Sequence, residues 1–123
     1  MFLAQHGELA RIRAFIEGFC AQMSFPRTGG LRLNVVLEEL FVNTVTHGHG
    51  AEKDAAVWVT LEPRAPGVRV TYEDAAPPFN PLAYTVEMGK IGGLGVLLTR
   101  ELATAREYAY LFGRNRIRLS LAA

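Results

Sequence analysis

The sequence has few features that would cross-link it or anchor it in a membrane. Cys20 is its only cysteine, so an internal disulfide is excluded and a reducing compartment is expected. No apolar run approaches the roughly 20 residues that cross a bilayer, and the N-terminus lacks the basic and apolar regions of a signal peptide. The formal net charge of +1 gives no support for a nucleic-acid-binding surface. We therefore expect a cytoplasmic protein without direct contact to membranes or nucleic acid.

The composition is that of one folded domain. Half of the 123 residues are hydrophobic and a fifth are charged, which is typical of a chain with a substantial core. The sequence contains no internal repeats, low-complexity tracts or linkers. We expect a single domain over residues 1–123, in which Cys20 is a small buried side chain.

Hydrophobic periodicity predicts two N-terminal helices. Residues 8–23 carry an apolar stripe at helical spacing, and a break with proline and glycine follows at 24–30. A second helix is predicted over 31–47, with its end at Gly48. Because so few residues precede the first helix, an N-terminal strand would be short or missing.

The rest of the chain predicts two hairpins separated by a long connection. Turns are expected at 63–67 and around 113–115, and a third helix from Gly93 to about Thr104. Helices clustered in sequence and strands joined by hairpins predict an α+β two-layer sandwich, a mixed but mainly antiparallel sheet with helices on one face. The predicted strands are 55–61, 68–72, 106–111 and 116–121.

The second helix carries a polar line in an otherwise apolar sequence. Glu39 and Asn43 are four residues apart and point the same way, and His47 continues the line one further turn. Such groups are costly to bury without partners but inexpensive when they face a ligand. An amide oxygen such as that of Asn43 suits Mg²⁺, and Glu39 could accept a proton from an attacking hydroxyl or water. The alternative is a solvated polar face, in which Glu38 is a surface charge and His47 a hydrogen-bonded helix-end histidine.

A second candidate segment begins where the second predicted strand ends. The carboxylate of Asp74 at this strand end can accept a hydrogen bond from an exocyclic amine such as that of adenine. Phe79, which lies among prolines, either covers the base or plugs the core. The alternative is an ordinary acidic loop, but an irregular stretch as long as 73–93 is more often functional than not.

The third candidate segment is rich in glycine and leads into the third predicted helix. Gly92, Gly93 and Gly95 would let backbone N–H groups approach phosphate oxygens at a helix N-terminus, which favours negative charge. Lys90 could add a positive charge. The pattern is neither a Walker motif, because Gly-Lys-Ser/Thr is absent, nor a dinucleotide fingerprint, because it follows a long loop. The alternative is a glycine cluster that only permits close packing.

The order and separation of the three segments resemble the anti-sigma-factor serine/threonine kinases of the GHKL ATPase superfamily, which includes histidine-kinase catalytic domains. Residues 39–43, with His47 and Gly48, look like the N box of that family, and residues 74–81 look like its next box. Residues 92–95 look like its last glycine box. The resemblance covers nearly the whole chain and implies the ATP-binding fold of that superfamily.

By this resemblance the cofactors are ATP and Mg²⁺. Glu39 would be the catalytic base, Asn43 would bind the metal, Asp74 would contact the adenine amine, and the glycines at 93 and 95 would lie by the phosphates under a lid. Family members phosphorylate a serine on an anti-anti-sigma (STAS-type) partner, and many bind a sigma factor, often as homodimers. The implied ATP-binding residues are Asn43, His47, Asp74, Ala76, Phe79, Lys90, Gly92, Gly93, Leu94 and Gly95.

Three positions depart from the pattern of this family. Ala76 occupies the place of a glycine, Asn80 replaces an aspartate, and Ile91 stands where many relatives carry a basic residue. The methyl group of Ala76 is expected to crowd the base or to restrict the backbone. One alternative is therefore a partner-binding module of the same fold with weak or lost ATP binding. Another is the catalytic domain of a phosphorelay histidine kinase that acts in trans.

Overall fold

A computed structural model describes residues 1–64, 67–80 and 103–122. Of the helices within these ranges, none combines the length and the apolar composition needed to span a membrane. In chain order the elements are β1 (Phe2–Ala4), a 3₁₀ turn (His6–Glu8), α1 (Leu9–Met23), α2 (Arg27–Asn43), a π-helical turn (Thr44–Gly48), β2 (Lys53–Arg64), β3 (Gly67–Asp74), β4 (Ala103–Leu111) and β5 (Arg114–Leu121).

The five strands form one sheet in the order β1-β2-β3-β5-β4, and every neighbouring pair is antiparallel. Alternate residues of β3 and β5 are buried, and they pack against the apolar faces of α1 and α2. This is the α+β two-layer arrangement that the sequence predicts. The largest fully buried side chains include Ile12, Ile16, Leu33, Leu37, Phe41, Val70, Tyr72 and Leu119.

The second helix begins earlier than the sequence predicts. Ser24 ends α1 in a left-handed conformation (φ 49°), and α2 already starts at Arg27. The break expected over 24–30 is therefore wrong for residues 27–30, which are helical. A side chain at Gly30 would lie 3.2 Å from the sulfur of Cys20, so glycine allows the two helices to approach closely there. The helix pairing therefore overrides the low helix propensity of glycine.

The second hairpin also differs from its prediction. Its two turn residues are Phe112 and Gly113, both with positive φ (52° and 75°), as a type I′ turn requires. The hairpin expected around 113–115 is present, and Gly113 is a turn residue, but Arg114 and Asn115 already belong to β5. The third helix was expected to reach about Thr104, but β4 begins at Ala103. The rest of that predicted helix lies outside the described residues.

The first hairpin is longer than predicted. The strands β2 and β3 pair from Val57 opposite Asp74 to Arg64 opposite Gly67. The ladder therefore extends beyond the predicted strands into polar residues, which hydrophobic patterning does not identify as strand. The N-terminal strand β1 is present but short, and its first residues pair with β2. The long β3 places Asp74 at its last position, next to the end of α2.

Candidate functional site

The carboxylate of Asp74 is the centre of a buried polar cluster. It is 7% exposed and accepts three hydrogen bonds from the described residues. The hydroxyl of Thr44 donates to one oxygen at 2.8 Å, and the side-chain amide of Asn115 and the backbone N–H of Ala76 donate to the other at 2.9 and 3.1 Å. These bonds join the ends of α2, β3 and β5.

Thr44 links this cluster to the core of the sheet. Its hydroxyl lies 2.6 Å from the hydroxyl of Tyr72 and 2.8 Å from Asp74. Because a carboxylate has no proton to give, Thr44 donates to Asp74 and Tyr72 donates to Thr44. Complete burial raises the pKa of Tyr72 well above its ordinary value, which keeps this phenol protonated as the donor.

Asn115 fastens the segment that follows β3. Its amide nitrogen donates to Asp74 at 2.9 Å and to the backbone carbonyls of Ala76 and Pro77 at 3.0 Å. Its amide oxygen accepts from the backbone N–H of Phe79 at 2.9 Å and from the hydroxyl of Tyr108 at 2.5 Å. The partners fix the orientation of the amide, because a flip would set donors against donors.

The aromatic ring of Phe79 lies beside the π-helical turn. It stacks on the ring of His47 with 6.3 Å between centroids and an interplanar angle of 27°. Phe79 is half-buried, and the core cluster formed by the described residues does not include it. The π-turn displaces His47 from the straight line of α2 that the sequence predicts, and the imidazole is exposed.

The predicted metal and base residues lie at the C-terminal end of α2. Asn43 is buried, and among the described residues its Nδ2 has no hydrogen-bond partner. The Oε1 atom of Glu39 is also buried without a partner in that part of the chain. Burial, and secondarily the neighbouring charge of Glu38, raises the pKa of Glu39. Glu38 itself lies 3.4 Å from Arg13 at the surface, as expected of a surface charge.

The methyl group of Ala76 is accommodated by a glycine from another element. Ala76 is buried, and a Cβ placed on Gly48 would lie 3.0 Å from the Cβ of Ala76. The methyl group therefore rests against Gly48 in the π-helical turn. The N–H and carbonyl of Ala76 are both hydrogen-bonded, to Asp74 and Asn115. The structure thus offers a place for the methyl group within the protein.

The structure brings five of the predicted site residues to the region where α2 and β3 end and β5 begins, with His47 stacked on Phe79. They are Glu39, Asn43, Asp74, Ala76 and Phe79. The glycine-rich segment, with Lys90, Gly92, Gly93, Leu94 and Gly95, lies outside the described residues.

Sequence reasoning missed Thr44, Tyr72 and Tyr108, and it placed Asn115 in a turn. Asn115 is the second residue of β5 and continues the two-residue spacing of Ile117, Leu119 and Leu121. This spacing is the signal that could have found it as a buried residue.

The buried atoms of Glu39 and Asn43 that lack partners among the described residues fit a ligand that offers both oxygens and cations. Asn43 presents a buried amide end, and rotation of that amide by half a turn exchanges its oxygen and nitrogen. Its oxygen is a ligand that Mg²⁺ accepts alongside waters and phosphate oxygens.

A family model described as a histidine kinase-like ATPase domain matches residues 2–121, nearly the full chain. A search of curated proteins found no match.

Proposed function

We propose that this chain, which belongs to the histidine kinase-like ATPase domain family, is an ATP-dependent serine/threonine protein kinase that acts as an anti-sigma regulatory factor. Its substrate would be a serine of an anti-anti-sigma (STAS-type) partner, and it would also bind a sigma factor. Family membership supports ATP as the nucleotide. The serine substrate and the partners rest on the sequence resemblance.

Asp74 has one acceptor position to spare for adenine. A carboxylate offers about four lone-pair positions, and the described residues fill three of them, from Thr44, Asn115 and Ala76. The fourth could accept a hydrogen bond from the exocyclic amine of adenine. Guanine carries a carbonyl oxygen at that position of the ring, and two acceptors would then face each other. This chemistry favours ATP over GTP.

Glu39 is suited to receive a proton. Its raised pKa makes the carboxylate a stronger base than an exposed glutamate, and its Oε1 has no competing donor among the described residues. In the transfer, the serine oxygen forms a bond to the γ-phosphorus, the bond to the ADP oxygen breaks, and the serine proton passes to Glu39. Bound Mg²⁺, held by Asn43, would neutralise charge on the phosphates.

The observation that carries the proposal is that Glu39 and Asn43 each bury a polar atom that has no partner among the described residues. Asn43 directly precedes Thr44, which donates a hydrogen bond to Asp74. This arrangement supports the proposed roles of Glu39 as the base, Asn43 as the metal ligand and Asp74 as the adenine acceptor. Unpartnered buried polar atoms cost about 1–3 kcal/mol each, and a bound ligand can offset this cost.

Nucleotide titration by calorimetry tests the site first. The wild-type chain should bind ATP more tightly with Mg²⁺ than without it, and Asn43→Ala should remove this difference. Asp74→Asn should lose the preference for ATP over GTP, because an amide can present a donor as well as an acceptor. Asn34→Ala is the matched control, since Asn34 lies earlier on α2 and its amide donates to the carbonyl of Gly30. Absence of ATP binding by the folded wild-type chain would favour the partner-binding module.

Phosphate transfer tests the kinase step separately. The chain is incubated with Mg-ATP and a purified STAS-type protein to which it binds, and phosphoserine is detected by mass spectrometry. Glu39→Gln should keep ATP affinity and lose most of the transfer rate, by about 10²-fold or more. Phosphohistidine in place of phosphoserine would instead support a histidine kinase acting in trans. Unchanged transfer by Glu39→Gln would remove Glu39 from the catalytic role.

A further inference from the structure

The tip of the β4–β5 hairpin carries an exposed aromatic residue with no role in the proposed ATP site. We propose that this end of the sheet is a docking surface for an acidic segment of another protein that carries apolar side chains. The hairpin surface consists of Trp58, Leu111, Phe112, Arg114 and Arg116. The inference is independent of nucleotide binding and phosphate transfer.

Phe112 occupies a conformation that its side chain disfavours. Its φ of 52° is in the left-handed region, where bulky residues are rare and where asparagine or glycine usually fills a type I′ turn. Its side chain is also fully exposed, at 100%. The residue thus costs stability through backbone strain and gains nothing from burial. Strain of this kind persists at sites that serve binding, and Phe112 is therefore the anchor of the surface.

The face of the sheet opposite the helices is enriched in arginine. Directly opposed residues in the ladders share a face, so Leu111 lies on the same side as Arg114, and Glu73 on the same side as Arg116. Five arginines stand against four acidic residues on this face. They are Arg64, Arg69, Arg114, Arg116 and Arg118, against Asp54, Glu62, Glu73 and Glu107. The excess positive charge complements an acidic segment.

The two arginines nearest the tip are held in place, and their ion pairs with other described residues leave some of their N–H donors unused. The guanidinium carbon of Arg114 lies 3.6 Å from the ring centroid of Trp58, and Arg114 is 3.8 Å from Glu73. Arg116 is 3.3 Å from Glu107. Each guanidinium has five N–H groups, so one ion pair leaves donors for a carboxylate of the partner. Pre-positioned side chains lose less entropy when a ligand binds.

A shallow cavity beside the tip could receive an apolar side chain. Its volume is ≈ 240 Å³, and it is lined by Glu73, Leu111, Phe112, Arg114 and Arg116. Leu111 is itself 41% exposed. Aromatic residues and arginine around a pocket are the composition found at the centres of protein interfaces.

Two other occupants are less compatible with this surface. A second copy would set one arginine-rich face against another, which costs free energy through like-charge repulsion. Nucleic acid binds mainly through its phosphates, which would leave the exposed apolar side chains at the hairpin tip uncovered. The exposed apolar side chains Leu111 and Phe112 match an apolar protein segment better than a phosphate backbone.

Peptide selection tests the chemistry of the partner directly. A library of random peptides is displayed on phage, selected on the immobilised full chain and counter-selected on Phe112→Asn. We expect the enriched peptides to combine acidic residues with leucine or aromatic residues. The best peptide should bind Phe112→Asn at least about tenfold more weakly than the wild type. Arg116→Gln should also weaken binding and reduce its salt dependence, whereas Arg13→Gln on the helical layer should change neither.

The sign of the stability change separates docking from a structural role. Asparagine tolerates positive φ, so Phe112→Asn should raise the melting temperature while it lowers peptide affinity. Leu31→Gln, at an exposed position of α2, is the control and should leave peptide binding unchanged. The proposal is overturned if enriched peptides show no acidic excess or bind both variants equally. It is also overturned if Phe112→Asn abolishes a dimer of this chain, or if single-stranded RNA, and no peptide, binds the wild type through Phe112.

Discussion

Replacement of Asn115 by alanine tests whether one amide holds the candidate site together. Asn115 is 3% exposed, and its amide contacts Asp74, the segment after β3, and Tyr108 on β4. Alanine removes every one of these contacts without adding bulk. The substitution should therefore loosen the segment that carries Ala76 and Phe79, while the helical layer keeps its packing.

The expected cost follows from which partners stay buried. The bond to the Asp74 carboxylate is charge-assisted and contributes about 1.5–3 kcal/mol. The carbonyl of Ala76, a buried residue, loses its donor at a cost of about 1 kcal/mol. Pro77 is exposed and Phe79 and Tyr108 are half-buried, so water can replace those bonds at little cost. The total is about 3 kcal/mol, a large part of the roughly 5–15 kcal/mol of a typical domain.

Urea unfolding followed by circular dichroism measures this cost. Asn115→Ala should lower the midpoint without a change in slope, and the melting temperature should fall by about 10 °C. Asn34→Ala is the control, because Asn34 donates its amide to Gly30, and it should cost less than about 1 kcal/mol. If Asn115→Ala lowers the free energy of unfolding no more than Asn34→Ala does, the amide of Asn115 does not hold the segment after β3 in place.

Three further changes have signs that the structure fixes. Glu39→Gln should raise the free energy of unfolding at neutral pH, because the raised pKa of Glu39 means that its charged form destabilises the fold. This gain over the wild type should shrink as the pH falls toward the ordinary pKa of glutamate, where Glu39 becomes protonated. Urea unfolding at several pH values measures the difference. Gly67→Ala should lower the melting temperature, because its Cβ would lie 1.9 Å from the carbonyl oxygen of Leu121. Gly48→Ala should lower the free energy of unfolding by about 1–3 kcal/mol, and the double variant with Ala76→Gly should recover part of this loss. If the effects of the two substitutions are additive in this double-mutant cycle, residues 48 and 76 are not in contact.

The layers of the fold follow from local patterns in the sequence. The apolar stripes of α1 and α2 and the alternation in β3 and β5 indicate which faces pack together. Asp74 at the end of β3 was also predictable, because an acidic residue marks the end of the apolar alternation. These features depend on neighbours within a few residues, and such information is present in the sequence itself.

The contacts that complete the site depend on pairs far apart in the chain. Asn115 lies 41 residues from Asp74, and Thr44 lies 30 residues from it. Near Asn115 the local pattern is misleading, because the sequence Gly-Arg-Asn resembles a turn, whereas the strand register places Asn115 opposite Asp74. Turn chemistry predicts where a hairpin is plausible, but the pairing of β5 with β3 decides which residue becomes buried.

The surroundings of Ala76 also depend on a residue that is distant in the sequence. Taken alone, an alanine in place of a glycine predicts a methyl group that crowds the nucleotide. In the structure the methyl group rests against Gly48, which belongs to the π-helical turn after α2. Because Gly48 lacks a side chain, it leaves room for the methyl group of Ala76. A glycine at position 76 would provide the same room from the other side of the contact. The pair, and not the position, therefore determines whether the segment after Asp74 can approach α2.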